Sequence, residues 1–234
     1  SLNKKHFQDF MKRLRKKYTG KKIRYYHCGE YGEKYKRPHY HAIIFNLDFH
    51  DKKLFKTVKE QKLFTSEQLQ KLWPMGFSTI GNVTFESAAY CARYVMKKQT
   101  GKKIEQARRV TGFGPYDKAI IDEQTGEILD EWEITPEYNT MSRRPGIAAD
   151  WFHQFKDDVY PSDNVHIRGK QMKPPKFYDT MYEHENPEAH AKLKEKRVKL
   201  MQMHKKDNTP ERLAVKEKVK LAQLSSLKRP IEES

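Results

Sequence analysis

The first apolar residues of the chain, Leu2, Phe7, Phe10, Met11 and Leu14, recur near helical spacing with basic residues between them, and Gly20 stands beyond. This predicts an amphipathic helix over 3–17, whose basic outer face is a candidate phosphate contact. Ile23 to Gly29 (IRYYHCG) is dense instead in β-branched and aromatic residues, and Pro38 opens a second such run, His39 to Phe45 (HYHAIIF). The short polar loop Tyr31 to Arg37 between them predicts two strands paired antiparallel. Residues 51–62 read as a short helix, and Ser66-Glu67-Gln68 leads another through Leu69, Leu72 and Trp73 to a stop at Pro74. Gly76 to Ile80 reads as a strand. Thr84 to Lys98 (TFESAAYCARYVMKK) reads as a helix, with Thr84 as its cap, helix-favouring alanines inside and Gly101 just beyond.

Past that helix, turn signals at Gly112, Gly114-Pro115 and Gly126 suggest a hairpin of 118–123 with 127–134. Trp151, Phe152 and Phe155 supply the apolar face of a helix over 146–157. After about Pro161 aliphatic residues thin out, so the globular body is expected to end there. Asn186-Pro187-Glu188 and Thr209-Pro210-Glu211 then each place a capping residue, a proline at the first helical position and an acid in the first turn. They predict two basic helices, 187–205 and 210–228, forming an exposed hairpin or tail for which DNA contact and simple solvation are both open. The expected class is α+β, with a central antiparallel sheet and flanking helices. The expected layout is a domain over 1–160, a linker over 161–186 and a basic helical tail over 187–234.

Composition narrows the function. The 234 residues include 47 Lys+Arg against 31 Asp+Glu, a formal charge of +16. Lysine and arginine that neutralise phosphates gain affinity by releasing counterions, so a polyanionic partner is indicated; a merely soluble basic surface is the bland alternative. No run approaches the ~18 consecutive apolar residues of a membrane span, and no signal peptide is visible, so a soluble intracellular chain with no membrane partner is expected. Cys28 and Cys91 are too few for a disulfide framework or a four-cysteine zinc site.

Two constellations carry chemistry. His39 and His41 lie two apart in a strand, so both imidazoles face one side, within reach of one divalent ion. Ten histidines in this length give roughly 0.4 such pairs by chance, and the bland reading is two strand histidines. Glu30 changes the odds, because the hairpin folds it back beside the pair. Two imidazoles and a carboxylate with open positions suit Mn²⁺ or Mg²⁺ better than a closed structural zinc site. The second constellation is Tyr90, Tyr94 and Lys97, spaced i, i+4 and i+7 on one predicted helix, with Arg93 and Lys98 beside them. An aromatic stripe packed on the sheet is the bland reading. Against it, a nearby ammonium and a metal-bound phosphate both favour the ionised phenol that a nucleophile needs.

A strand bearing Glu30, a strand reading PHYHAIIF and a helix reading YCARYVMKK, in that order, resemble the HUH endonucleases that initiate rolling-circle DNA replication. The tyrosines four apart place the resemblance in the two-tyrosine branch. GNVTFESAAYCARYVMKK, MSRRPGIAADWF and TPERLAVKEKVKLAQL together resemble the replication initiators of the gokushovirus group of the microviruses, from about residue 3 to residue 228. The resemblance implies a nickase and strand transferase that cuts the viral origin strand through metal-assisted tyrosine attack, stays linked to the 5′ end and later rejoins a unit circle. It implies Glu30, His39 and His41 as holders of Mg²⁺ or Mn²⁺, Tyr90 and Tyr94 as alternating nucleophiles, and Lys97 as a charge stabiliser. It also implies single-stranded or locally melted origin DNA as partner, a host helicase and polymerase as helpers, and the bacterial host's cytoplasm as the place of action. The family carries an apolar strand before the opening helix, and this chain starts after that place without a methionine, so an N-terminally partial domain is expected.

Arg93, Lys98, Arg143 and Arg144 are the candidate DNA contacts; Ser142-Arg143-Arg144-Pro145-Gly146 leads into a helix start and is equally a surface turn. Two other functions remain open. A non-catalytic single-stranded DNA-binding protein would account for the charge and the 12% aromatic content without needing the three metal-ligand candidates to converge. A HUH transposase usually presents one tyrosine, and the pair here argues against it.

Overall fold

The computed structural model describes residues 1–32, 35–58, 61–93, 102–160 and 162–226, with Tyr90, Arg93 and residues 102–104 described by their backbone alone. It is an α+β chain divided into two compact units, Ser1–Ile147 and Ala148–Arg229.

The first unit opens with helix α1 (Lys4–Lys17), capped by Asn3, whose side chain accepts the Lys5 amide at 2.9 Å. Its residues Phe7, Phe10, Met11 and Leu14 are buried, as their spacing predicts, with Ile23, Phe49, Leu69 and Leu72. Strands β1 (Arg24–Tyr31) and β2 (Pro38–Phe45) pair antiparallel as expected, in a register that sets Cys28 opposite His41 and Glu30 opposite His39. Because successive strand residues alternate between faces, Glu30, Cys28, His39 and His41 share one face, while Tyr25, His27, Tyr40 and Ile44 share the other. Helix α1 covers that second face: Phe7 stacks on His27 with ring centroids 3.5 Å apart.

The structure departs from the sequence reading in several elements. Residues 51–62, expected as a helix, instead contribute to a hairpin of β3 (Lys53–Val58) with β4 (Gln61–Thr65). A short window holding Leu54, Phe55 and Val58 satisfies either periodicity, and pairing with a neighbouring strand decides it. Gly76 to Ile80 forms no strand; only Ile80 makes a bridge, to Phe64. Helix α2 (Glu67–Leu72) forms as expected on its Ser66 cap. Helix α3 (Phe85–Arg93) starts at the expected place, with Thr84 Oγ1 accepting the Ser87 amide at 3.2 Å and Ser87 Oγ accepting the Thr84 amide at 2.8 Å. The remainder of the helix expected over 84–98 lies outside the described residues.

Helix α4 (Lys102–Thr111) has no counterpart among the expected elements, whereas β5 (Asp117–Ile121) and β6 (Ile128–Glu133) form the expected hairpin. Strand β7 (Tyr138–Met141) is likewise additional; it pairs antiparallel with β1 and gives a three-stranded sheet in the order β2-β1-β7. Four residues reading Tyr-Asn-Thr-Met are too short and too polar to carry a strand signal of their own.

The second unit begins with α5 (Ala149–Val159), close to the predicted 146–157. The expected linker over 161–186 instead holds a small hairpin, β8 (Val165–Ile167) with β9 (Lys170–Met172), and helix α6 (Lys176–Glu185). Its Tyr178 joins Phe152, Val159 and Tyr160 of the α5 region and Leu193 of α7 (Pro187–Met203) in one core. Aromatic residues, which the count of aliphatics after Pro161 ignores, build that core. Arg197 ties it together, donating to Asp163 at 2.9 Å and to Asp179 at 2.8 Å. Helix α8 (Pro210–Ser225) follows on its Thr209 cap, near the predicted 210–228. Among the described residues no helix is long and apolar enough to cross a membrane.

Candidate metal centre

Glu30 ends β1 and His39 and His41 begin β2, so the tight β1–β2 connection and the two-residue strand period bring all three side chains to one place. One ligand atom from each lies within 4.8 Å of the others, a spread that a single divalent ion can bridge. The Glu30 carboxylate is buried and stands 3.0 Å from His41 Nε2. His39 is exposed, and its ring stands nearly perpendicular to that of His41 at a centroid distance of 6.4 Å. The cluster thus has a sheltered carboxylate at its base and an imidazole open to the surface. Gly32 makes room for that imidazole: a Cβ built on it would lie 2.7 Å from His39 Cε1. The sequence marks Gly32 only as the residue that breaks the strand, and the clearance has no signature outside the folded hairpin.

Helix α3 packs on this same face. Cys91 of the helix is buried against Cys28 and Ile43, with Ala88, Tyr26 and Phe45 around them. Burial, with Cys91 and Glu30 nearby, pushes the Cys28 thiol up to about 12, and burial pushes the Cys91 thiol up to about 11. Both therefore stay neutral at physiological pH and form an apolar wall under the cluster rather than thiolate ligands. Behind the sheet His27 is fully buried between Phe7 and Tyr40, with Nδ1 3.1 Å from Thr140 Oγ1. Burial, reinforced by His41, lowers its pKa to about 3, so it is a neutral packing residue.

The other candidates are distributed. The backbone at Tyr90 and Arg93 belongs to α3, the helix packed on the cluster's face. Tyr94, Lys97 and Lys98 lie outside the described residues. Arg143 and Arg144 are exposed in the turn after β7, where Arg24 donates to the Arg144 carbonyl at 3.1 Å. Arg24 starts β1 and Glu30 lies six residues on, so these arginines sit about 20 Å from the cluster along the strand. They do not belong to the metal centre. Helix α5, which they were expected to lead into, begins at Ala149.

The arrangement is that of an α+β protein with an N₂O set of donors on one sheet face under a helix. Residues 1–99 match the family model of the ORF2-type replication-associated proteins, and over that segment the chain belongs to this family. The chain is 35% identical over 190 residues to replication-associated protein ORF2 of Spiroplasma virus 4, covering 77% of this chain and 50% of the relative. It is 29% identical over 214 residues to replication-associated protein VP4 of Bdellovibrio phage phiMH2K, covering 85% and 60%, respectively. A shorter match to replication-associated protein ORF4 of Chlamydia phage 1 is 34% identical over 113 residues, 42% of this chain and 26% of that protein. The chain thus spans about half the length of the curated relatives it matches. No solved structure matches it.

Proposed function

We propose that this chain acts in phage DNA replication as a rolling-circle initiator: a metal-dependent HUH-type nickase and strand transferase that works inside the bacterial host cell on single-stranded or locally melted origin DNA. The observation that carries the reading is the convergence of the Glu30, His39 and His41 donors within 4.8 Å, on the sheet face against which the helix bearing Tyr90 packs. A non-catalytic DNA-binding protein has no need of that convergence.

The donor set, two imidazole nitrogens and a carboxylate oxygen, fits Mg²⁺ or Mn²⁺. When bound, such an ion supplies Lewis-acid polarisation of a non-bridging oxygen of the scissile phosphate. Glu30, buried beneath the imidazoles, fixes His41 through their 3.0 Å contact and so sets the direction from which a phosphate is received. The Tyr90 oxygen attacks phosphorus in line; the tyrosyl O–P bond forms as the P–O3′ bond breaks. The phenolic proton passes to solvent, and the departing 3′ oxygen takes one up. Lys97 neutralises charge on the attacking oxygen and the phosphate. The phosphotyrosyl ester retains the bond energy of the broken diester, so a later attack by a 3′ hydroxyl rejoins the strand without ATP. Tyr94, four residues on, cuts the regenerated origin while the first linkage is resolved. The free 3′ hydroxyl is the primer for a host polymerase, with a host helicase opening the duplex ahead of it.

Incubation with labelled single-stranded origin oligonucleotide and Mn²⁺ tests this directly. A covalent protein–DNA species resistant to denaturation is expected, lost in His39→Ala and in the Tyr90→Phe, Tyr94→Phe double variant. An adduct that persists unchanged in both variants refutes the mechanism.

A further inference from the structure

Two exposed aromatic rings stand together on a lysine-rich hairpin of the first unit, apart from the residues assigned so far. Phe55 is 50% exposed and Phe77 is 67% exposed, with ring centroids 5.1 Å apart at 58°. Both are placed by specific backbone features. Phe55 is the extra residue of a β-bulge, where the pairing steps from Leu54↔Phe64 to Lys56↔Leu63; such a bulge re-aims a side chain out of the strand's regular alternation. Phe77 rides on the segment after α2, which is tied down at both ends. Gln70 Nε2 donates to the Gly76 carbonyl at 2.8 Å and Gln70 Oε1 accepts from Ser78 Oγ at 3.3 Å, while Ile80 exchanges backbone hydrogen bonds of 2.9 and 2.8 Å with Phe64. The ring pair is therefore held rather than left as two loose side chains. Lys53, Lys56 and Lys62 project from the same hairpin, all exposed. Two large apolar rings kept open to water on a cationic hairpin suit a ligand with flat apolar faces strung on a polyanion.

We propose that Phe55 and Phe77 form a nucleobase-stacking platform that, with Lys56 and Lys62, holds unpaired bases of single-stranded DNA. The assignment rests on the DNA-processing function proposed above and extends it to a second, metal-independent contact with the strand. Base–aromatic stacking tolerates any base, since each presents a π-face, so the platform grips the strand without reading its sequence. The lysines neutralise backbone phosphates and contribute the salt-dependent part of the affinity.

The test compares the full chain's affinity for a fluorescein-labelled oligothymidylate with that for an abasic strand of the same length, by anisotropy in EDTA so that no cleavage intervenes. The wild type is expected to bind the thymidine strand about tenfold more tightly. Phe55→Ala with Phe77→Ala should abolish that difference while leaving the abasic affinity unchanged, and Phe77→Trp should preserve it. Lys56→Ser with Lys62→Ser should weaken both strands alike and flatten the salt dependence. A base-dependent difference that survives in the double alanine variant overturns the platform, as does a wild type that binds both strands equally. A double variant that alters only the sedimentation coefficient makes the patch a protein interface and also overturns it. The two readings fail separately. An absent covalent adduct with the base-dependent affinity intact removes the nuclease function alone, and an intact adduct with that affinity unaltered in the double variant removes the platform alone.

Discussion

Gly32 and His27 have opposite jobs on the two faces of one sheet. The missing side chain of Gly32 leaves the space that the His39 ring occupies, since a Cβ there would approach Cε1 to 2.7 Å. Gly32→Ala should displace His39 and weaken Mn²⁺ binding by about tenfold or more, the scale seen when a ligand's supporting contacts are lost. Its thermal stability should stay close to wild type, because the residue lies at the end of the hairpin and its backbone angle suits alanine. Isothermal titration with Mn²⁺ alongside a melting curve separates the two effects; unchanged affinity would contradict the role given to the clearance. His27 is buried and neutral, its pKa lowered to about 3 from 6.5 chiefly by burial. The unfolded chain takes up a proton near pH 6.5 that the folded chain refuses. The stability this residue contributes is complete above that pH and falls by roughly 1.4 kcal/mol per pH unit as pH drops toward the folded value. His27→Phe keeps the stack on Phe7, and its urea-derived stability should decline less steeply between about pH 6.5 and about pH 4. Parallel profiles would rule out His27 as a source of the acid sensitivity. The sequence exposes His39 and His41 as a pair through their spacing, but His27 and Gly32 acquire their roles from residues far along the chain or across the turn.

At the scale of elements, local chemistry and pairing divide the outcome. Helices α1 and α2 and strands β1 and β2 are legible in the sequence because apolar periodicity, caps and stops agree with one another. Ser66 illustrates how strongly a cap is tied in. Its hydroxyl accepts from the Leu69 amide at 3.1 Å and donates to Asp51 at 2.6 Å, and Asp51 also accepts the Gln68 amide at 2.9 Å. Ser66→Ala should cost about 1–2 kcal/mol in chemical denaturation, since a buried capping oxygen is removed and both partners are stranded. Leu14, fully buried on α1, should cost about 2–5 kcal/mol as alanine through lost transfer energy and an unfilled cavity. A loss below about 1 kcal/mol, the cost of a half-exposed site, would mean that α1 does not seal the sheet. The 51–62 segment and β7 are illegible for a different reason. Each is too short to favour one period, and each takes its form from a partner: β3 from β4, and β7 from β1.

Across the whole chain, two compact units stand where one domain and a tail were expected. The second unit has its own aromatic core and its own electrostatic tie at Arg197, whose pKa is raised by Asp163 and Asp179 and which holds both carboxyls below the usual range in return. Arg197→Met should leave two neighbouring carboxylates without their cation and destabilise this unit by about 3 kcal/mol. Hydrogen exchange should speed up in α5, α6 and α7 while β1 and β2 keep their protection, and Mn²⁺ affinity should be unaltered. Uniform loss of protection through both units would show that they unfold as one. The charge is uneven as well: residues 116–137, around the β5–β6 hairpin, hold eight carboxylates against Lys118, in a chain whose net charge is +16. Cationic surface available for a DNA backbone therefore lies outside that hairpin, on α1, the β3–β4 hairpin and the later helices.

By itself the sequence determined the β1–β2 hairpin, the identity of Glu30, His39 and His41 as a possible ligand set, the helix that follows Thr84 and the excess of positive charge. Each of these is local, written in spacing, caps and composition within a few turns of chain. Only the tertiary structure decided that the three donors converge to within 4.8 Å and that neutral thiols wall the cluster from beneath. It also decided that β7 completes the sheet, and that Phe55 meets Phe77 from 22 residues away. Those features depend on contacts between segments distant in sequence, and such contacts are fixed by the packing of the whole unit rather than by any pattern within one stretch.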